Sequence, residues 1–206
     1  MKRILITARL SNDKNGIVFN FDKNWYDFFK EKKVNIISNS FFNFNRDKIL
    51  DLKPNGVILT GGNDLFFLKK NKLNLLRDNY EKKMIKLCIQ NKIPLLGICK
   101  GFQSISKFFS GSKIIKCLNH VKTSHSLKVN KDSKYLKCKI ININSFHNYG
   151  IKNINEQFLI VSKTNDNLIE IAEHKSKKIL GIMGHPERPC KSKKELKKIV
   201  YEFFRI

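Results

Sequence analysis

Leu95-Leu96-Gly97-Ile98-Cys99-Lys100-Gly101-Phe102-Gln103 passes from an unbroken apolar run into a polar, helix-like stretch with no loop between them. The run predicts a buried strand over Ile93–Ile98, with Pro94 tolerable near its start. A short helix carrying Phe102, Ile105 and Phe109 follows. Gly97 and Gly101 flank Cys99 in a G-x-C-x-G arrangement. Small residues there permit a sharp turn that lifts a nucleophile above a sheet, the logic of the G-x-S-x-G elbow. The helix start beneath Cys99 favours the thiolate, the reactive form of the side chain. Read alone, however, Cys99 is equally well a small buried apolar residue.

Outward from this stretch, strand and helix patterns alternate. Arg3–Thr7 is a short apolar run, a polar loop carries Gly16, and Trp25, Phe28 and Phe29 recur at helical spacing within Asp22–Lys32. Val34–Ile37 reads as a strand. Gly56–Thr60 is a buried strand that stops at Gly61-Gly62, and Asn71–Lys92 is an amphipathic helix built on Leu73, Leu76, Tyr80, Met84, Leu87 and Cys88. This alternation predicts an α/β fold, an open, mostly parallel sheet flanked by helices. The second half changes character. Lys113–Cys117, Ser126–Val129, Leu136–Ile143, Phe158–Ser162, Leu168–Glu173 and Ile179–Met183 are short β-type runs between turn residues, expected to extend the sheet antiparallel. Ser192–Phe204 closes the chain with a helix. With no repeat or low-complexity linker, one domain over residues 1–206 is expected.

Composition narrows the function. Against 17 acidic residues stand 41 Lys and Arg, a formal net charge of +24. Such a surface attracts nucleic acid, anionic lipid or an acidic small substrate. Lys is spread along the chain, with no zinc-finger, helix-turn-helix or RNA-recognition signature, which argues against a nucleic-acid-binding protein but leaves that class as an alternative. Part of the excess reflects a Lys-, Asn- and Ile-rich composition. Nothing approaches the length of a membrane span. The basic, then apolar, N-terminus is too short in its apolar part for a signal peptide and lacks a small-residue cleavage site. It reads as a first strand, and a cytoplasmic protein is expected. The 5 cysteines have no paired spacing and no C-x-x-C, so free thiols are expected. His120, His125, His147 and His174 lack a carboxylate at ligand spacing, so no metal site is predicted.

Two further segments support the elbow. Leu59-Thr60-Gly61-Gly62-Asn63-Asp64 places a glycine pair at the carboxyl end of a strand, the edge where open α/β sheets bind ligands. Its exposed N–H groups suit an oxyanion, although an ordinary tight turn would look the same. Gly184-His185-Pro186-Glu187 sets His185 and Glu187 two residues apart, which in extended chain puts both on one face. His185 would then activate Cys99 while Glu187 orients the imidazole.

Together these blocks resemble the class I glutamine amidotransferases, with their G-G-x-D, G-I-C-x-G-x-Q and H-P-E patterns in this order. Asn144-Ser145-Phe146-His147 is similar to the family's N-S-x-H substrate segment. The resemblance implies a flavodoxin-like fold and no cofactor. It makes Cys99 the nucleophile, His185 the base and Glu187 the third triad member. The backbone N–H groups of Gly62 and Lys100 would form the oxyanion hole. Gln103 and the Ser145–Phe146 backbone would hold the glutamyl group, with Gly61 and Arg9 also at the substrate. Met183-Gly184 departs from a common Gln-Trp pair, and Phe102 is a second departure, both expected at the pocket wall. The G-G-N-D form and Asp22-Lys23-Asn24-Trp25 look like the γ-glutamyl hydrolase branch, implying a small γ-glutamyl substrate. A nucleoside diphosphate as its leaving group would suit the basic charge, with Lys100, Arg9, Lys14 and Arg188 as candidate phosphate contacts. A glutaminase subunit serving a separate synthetase is the alternative.

Overall fold

The computed structural model describes residues 1–38 and 44–206. Strand β1 (Lys2–Ile6) leads into a hairpin of β2 (Arg9–Asp13) and β3 (Gly16–Asn20), then α1 (Asn24–Phe29) and β4 (Val34–Ser38). Next come α2 (Arg46–Asp51), β5 (Gly56–Leu59), α3 (Lys72–Gln90), β6 (Leu95–Ile98) and α4 (Lys100–Phe108). The second half runs β7 (Lys113–Lys116), β8 (Val121–Lys128), β9 (Ile140–Phe146), β10 (Tyr149–Asn153), β11 (Phe158–Lys163), β12 (Ile169–His174), β13 (Ile179–Ile182) and α5 (Lys193–Phe204).

The main sheet is ordered β4-β1-β5-β6-β13-β12-β10-β7, with β11 also pairing with β12. Pairs from β4 to β13 are parallel, and those from β13 onward are antiparallel. The predicted α/β sheet with an antiparallel extension is therefore what forms, with three corrections. Strand β13 belongs to the parallel part, beside β6. Its four residues are all buried, as a parallel strand covered on both faces requires. Strands β8 and β9 leave the sheet and pair only as a two-stranded ribbon. Most of β8 is solvent-facing, so it has too little apolar surface to lie inside a sheet. The segment read as a polar loop around Gly16 is the β2–β3 hairpin.

Alternation along β1 divides the core between the two faces. Ile4 and Ile6 pack with Trp25, Phe28 and Phe29 of α1 and with Leu196, Ile199, Val200 and Phe203 of α5. Leu5 lies on the other face with Tyr80, Met84 and Leu87 of α3 and Phe102 and Ile105 of α4. Among the described residues no helix is long and apolar enough to cross a membrane.

Candidate active site

Strand β6 ends and α4 begins around Cys99, whose φ of 50° and ψ of −108° form the strained elbow. The flanking glycines are required by close approach. A Cβ at Gly97 would lie 2.8 Å from the Phe102 backbone, and one at Gly101 would lie 2.0 Å from the Leu59 carbonyl oxygen. Helix α4 thus sits directly against β5 and β6. The Cys99 N–H donates to Ile182 O at 2.8 Å, anchoring the elbow to β13. Phe102 points away from the cleft. It is fully buried, its ring filling the space that a Gly181 side chain would need. Met183 is likewise fully buried, so neither residue forms the pocket wall expected of it.

His185 follows β13, the strand next to β6, and so arrives beside Cys99. A Cβ built on Gly61 would be 2.6 Å from His185 Cε1 and 3.3 Å from Cys99 Cβ, which brings all three residues together. His185 Nδ1 and Glu187 Oε1 are 2.7 Å apart, so Nδ1–H donates to the carboxylate and Nε2 is left for the thiol. The segment is a turn rather than extended chain, so the pairing expected from two-residue spacing is made by a different geometry. Asn144 holds this turn from the ribbon: its Oδ1 accepts from His185 N at 2.7 Å, and its Nδ2 donates to His185 O at 2.9 Å. Burial disfavours the Cys99 thiolate, yet the hydrogen bond and charge of His185, the charge of His147 and the Lys100 N–H outweigh it and lower the thiol pKa. Burial likewise opposes the His185 imidazolium, but Cys99 and Glu187 raise its pKa to about 9. Both shifts favour a thiolate–imidazolium pair, an arrangement suited to nucleophilic attack on a carbonyl.

Beneath the site lies a clamp that the sequence did not signal. Arg77 of α3 is fully buried, and its guanidinium donates to the carbonyl oxygens of Thr60, Gly61 and Gly62 and to Asn63 Oδ1 at 3.1 Å. Gripping Gly61 O on one side of the planar peptide turns the Gly62 N–H to the opposite side. Glu81 Oε1 accepts from Arg77 Nε at 2.8 Å, while Oε2 accepts from Lys100 Nζ at 2.7 Å and Ser104 Oγ at 2.6 Å. One buried carboxylate therefore joins the loop after β5 to the elbow. Burial favours its neutral form, yet Lys100 and Arg77 hold its pKa below the usual value. Lys100 Nζ also pairs with Asp78 Oδ1 at 2.7 Å, so its side chain is committed to the interior and is no phosphate contact. Its backbone N–H, at the first turn of α4, remains outside the helix ladder. Glu81→Gln leaves two buried cations short of a counter-charge and should cost about 3 kcal/mol of stability. Urea unfolding checks this, and an unchanged midpoint would remove the clamp from the account of the fold.

Two clefts meet at this point. One is lined by Cys99, Lys100, Gln103, Phe146, His147 and Tyr149; the other by Thr60, Gly61, Asp22, Trp25 and Glu187; Arg9, Gly62, His185 and Arg188 border both. Gln103 Nε2 donates to Tyr149 O at 2.7 Å, which fixes the orientation of its amide. Ser145 lies behind the cleft, its hydroxyl donating to His120 O at 2.6 Å, while Phe146 reaches the opening. Arg188 stacks over Phe146 at 5.0 Å and faces Asp22 at 3.5 Å. Lys69 joins Arg9 and Arg188 at the rim, a cation that sequence reasoning missed, whereas Lys14 stands in the exposed β2–β3 turn outside both clefts. The histidines also differ from expectation. His120 lies 3.0 Å from Asp166 and His147 3.4 Å from Glu170, carboxylates far away in sequence but adjacent across the sheet.

A strand–cysteine–helix elbow on a mostly parallel sheet, faced by a histidine–carboxylate pair from the adjoining strand, sets this chain in one class of α/β proteins. Residues 47–187 match the peptidase C26 family, and the chain belongs to this class I glutamine amidotransferase-like family. It is 45% identical over 132 residues to the γ-glutamyl-CDP-amidate hydrolase of Campylobacter jejuni, covering 64% of this chain and 62% of that protein. The match thus spans less than two thirds of that relative's length. Among solved structures, a glutamine amidotransferase from Thermotoga maritima superposes with a TM-score of 0.70 at 18% identity, covering 98% of this chain and 82% of the other. The glutaminase domain of Trypanosoma brucei CTPS, with bound acivicin, gives 0.71 at 15% identity, covering 98% and 92%. These two likenesses concern the fold.

Proposed function

We propose that this chain is a cysteine-dependent amidohydrolase that releases glutamate from a γ-glutamyl amide, with Cys99, His185 and Glu187 as its catalytic triad. The observation that carries this reading is the convergence of the Cys99 thiol, the Glu187-oriented imidazole and the Gly62 loop at one cleft. The Cys99 thiolate attacks the γ-carbonyl carbon, and the N–H groups of Gly62 and Lys100 stabilise the oxyanion. The His185 imidazolium gives its proton to the departing amide nitrogen, the C–N bond breaks, and a thioester remains. Neutral His185 then takes a proton from water, whose oxygen displaces Cys99 and frees glutamate. Gln103, Gly61 and the Ser145–Phe146 backbone hold the glutamyl part. A cytoplasmic location is part of this proposal.

For the leaving group we propose a nucleoside diphosphate amidate, the substrate named in the Campylobacter relative, so that γ-glutamyl-CDP-amidate yields cytidine diphosphoramidate for capsular phosphoramidate assembly. Arg9, Lys69 and Arg188 at the rim support this choice, since arginine pairs well with phosphate oxygens. The test compares kcat/KM for γ-glutamyl-CDP-amidate with that for glutamine, at low and high salt. The nucleotide substrate should be preferred by at least about tenfold at low salt. The preference should shrink as salt screens the rim, and in Arg9→Ala with Arg188→Ala. A ratio near one at low salt overturns the nucleotide assignment and leaves the thiol chemistry standing. Efficient glutamine use on adding a synthetase would instead identify an ammonia-delivering subunit.

A further inference from the structure

The ribbon strand β8 and the sheet strand β12 face one another through a group of side chains that the proposed thiol chemistry does not use. His120 lies just before β8, His125 lies within it, and Glu170 lies on β12. Ligand atoms of these three residues all fall within 4.8 Å of one another. His120 and Glu170 are buried, at 3% and 0% exposure, while half-buried His125 stands at the opening of a surface cleft.

The hydrogen-bonding account of this group does not close within the protein. His120 Nδ1, His125 Nε2 and both Glu170 oxygens are buried without a hydrogen-bond partner among the described residues. His147 Nε2, 3.4 Å from Glu170 Oε1, is in the same condition. The nearest approaches to the carboxylate, His147 Nε2 at 3.4 Å and His120 Nδ1 at 3.8 Å, are ion-pair distances without hydrogen-bond geometry, so these buried groups keep part of their desolvation cost. A cation among them would remove it. The outer contacts fit as well. His120 Nε2 lies 3.0 Å from Asp166 Oδ2, and Asp166 is itself held by the Thr164 hydroxyl. An Nε2–H donated to Asp166 leaves the Nδ1 lone pair facing Glu170, the carboxylate–histidine–metal relation common to metal centres.

We propose that His120, His125 and Glu170 bind one divalent transition-metal ion of the zinc type. Two imidazoles and a carboxylate are a donor set that suits zinc and its neighbours rather than calcium or magnesium. The cleft beside His125 provides the entry path. The role is structural: the ion joins the ribbon to the main sheet, and the ribbon carries Asn144, which holds His185, and the Ser145–Phe146 segment. The site takes no part in the hydrolysis, and its test does not depend on that activity.

Untagged, chelator-stripped full chain is titrated with Zn(II) and with Co(II), read by calorimetry, visible absorption and thermal unfolding. One equivalent of either ion should bind, Co(II) should give ligand-field bands, and Zn(II) should raise the Tm by several degrees. His125→Ala, at a half-buried position, should bind at least about 100-fold more weakly. Asp166→Asn, which keeps a half-exposed surface side chain, should bind about 10–100-fold more weakly. Cys99→Ala should bind like the parent. Absence of stoichiometric binding, equal affinity in His125→Ala, or loss of binding in Cys99→Ala would each overturn the site.

Discussion

Cys99→Ala should abolish glutamate release, a loss of at least about 10⁴-fold in kcat, while the protein keeps its fold. Without the thiolate no thioester forms, and the oxyanion donors with bound water cannot replace it. The substitution removes one sulfur at a position that tolerates a small side chain, so the unfolding midpoint should move little. Cys88, Cys117, Cys138 and Cys190 test the assignment from the other side. Cys88 is buried and its thiol is pushed up to about 12, so it stays protonated and unreactive. Alanine at each of these four should leave turnover within a fewfold of the parent. Full turnover in Cys99→Ala would end the covalent mechanism.

His185→Asn should lower kcat toward the upper end of the roughly 10²–10⁴-fold attributed to general acid–base catalysis, because the same group also sustains the thiolate. The pH dependence carries the more specific expectation. With His185 titrating near 9 and the Cys99 thiol below its ordinary value, the pair is charged in the interval between the two. Lowering the pH protonates the thiolate, and raising it through about 9 removes the proton that the leaving nitrogen needs. The parent should therefore show a bell whose alkaline limb falls near 9. In His185→Asn the thiol loses its strongest support, so iodoacetamide alkylation of Cys99 should require more alkaline conditions. Glu187→Gln keeps the imidazole and should cost less than His185→Asn. If it costs more, the two roles must be exchanged.

How much of this was readable beforehand varies with the physics of each part. Strands β1, β5 and β6 and helices α3 and α5 announced themselves because long apolar runs and helical periodicity survive in any context. Helix α2 and strand β10 did not, being short segments whose character comes from their neighbours. The β2–β3 hairpin is polar and looked like a loop. At the site, the cysteine elbow and the glycine pair are local features, hence visible. The Arg77–Glu81 pair was not, because charges four residues apart on a helix ordinarily face water. Here their partners are backbone carbonyls of a distant loop, which no local pattern encodes. For the same reason Lys100 looked like a rim cation, and its burial against Asp78 and Glu81 became apparent only in three dimensions.

The pairing of β6 with β13 bears on how such proteins diversify. Ile98 and Ile182 stand opposite one another in parallel register, so the segments bearing Cys99 and His185 leave the sheet side by side. Their separation derives from the spacing of neighbouring strands, about 4.8 Å, and not from any loop. The cations at the rim of the cleft, by contrast, sit on peripheral pieces: Arg9 on a hairpin, Lys69 before a helix, Arg188 past the histidine turn. Under the proposed function, insertions, deletions and charge changes in those pieces can retarget the chain to new amides while Cys99 and His185 stay in step. Substrate range can then drift on an unchanged reaction centre, and a chain such as this one carries the means of its own functional divergence.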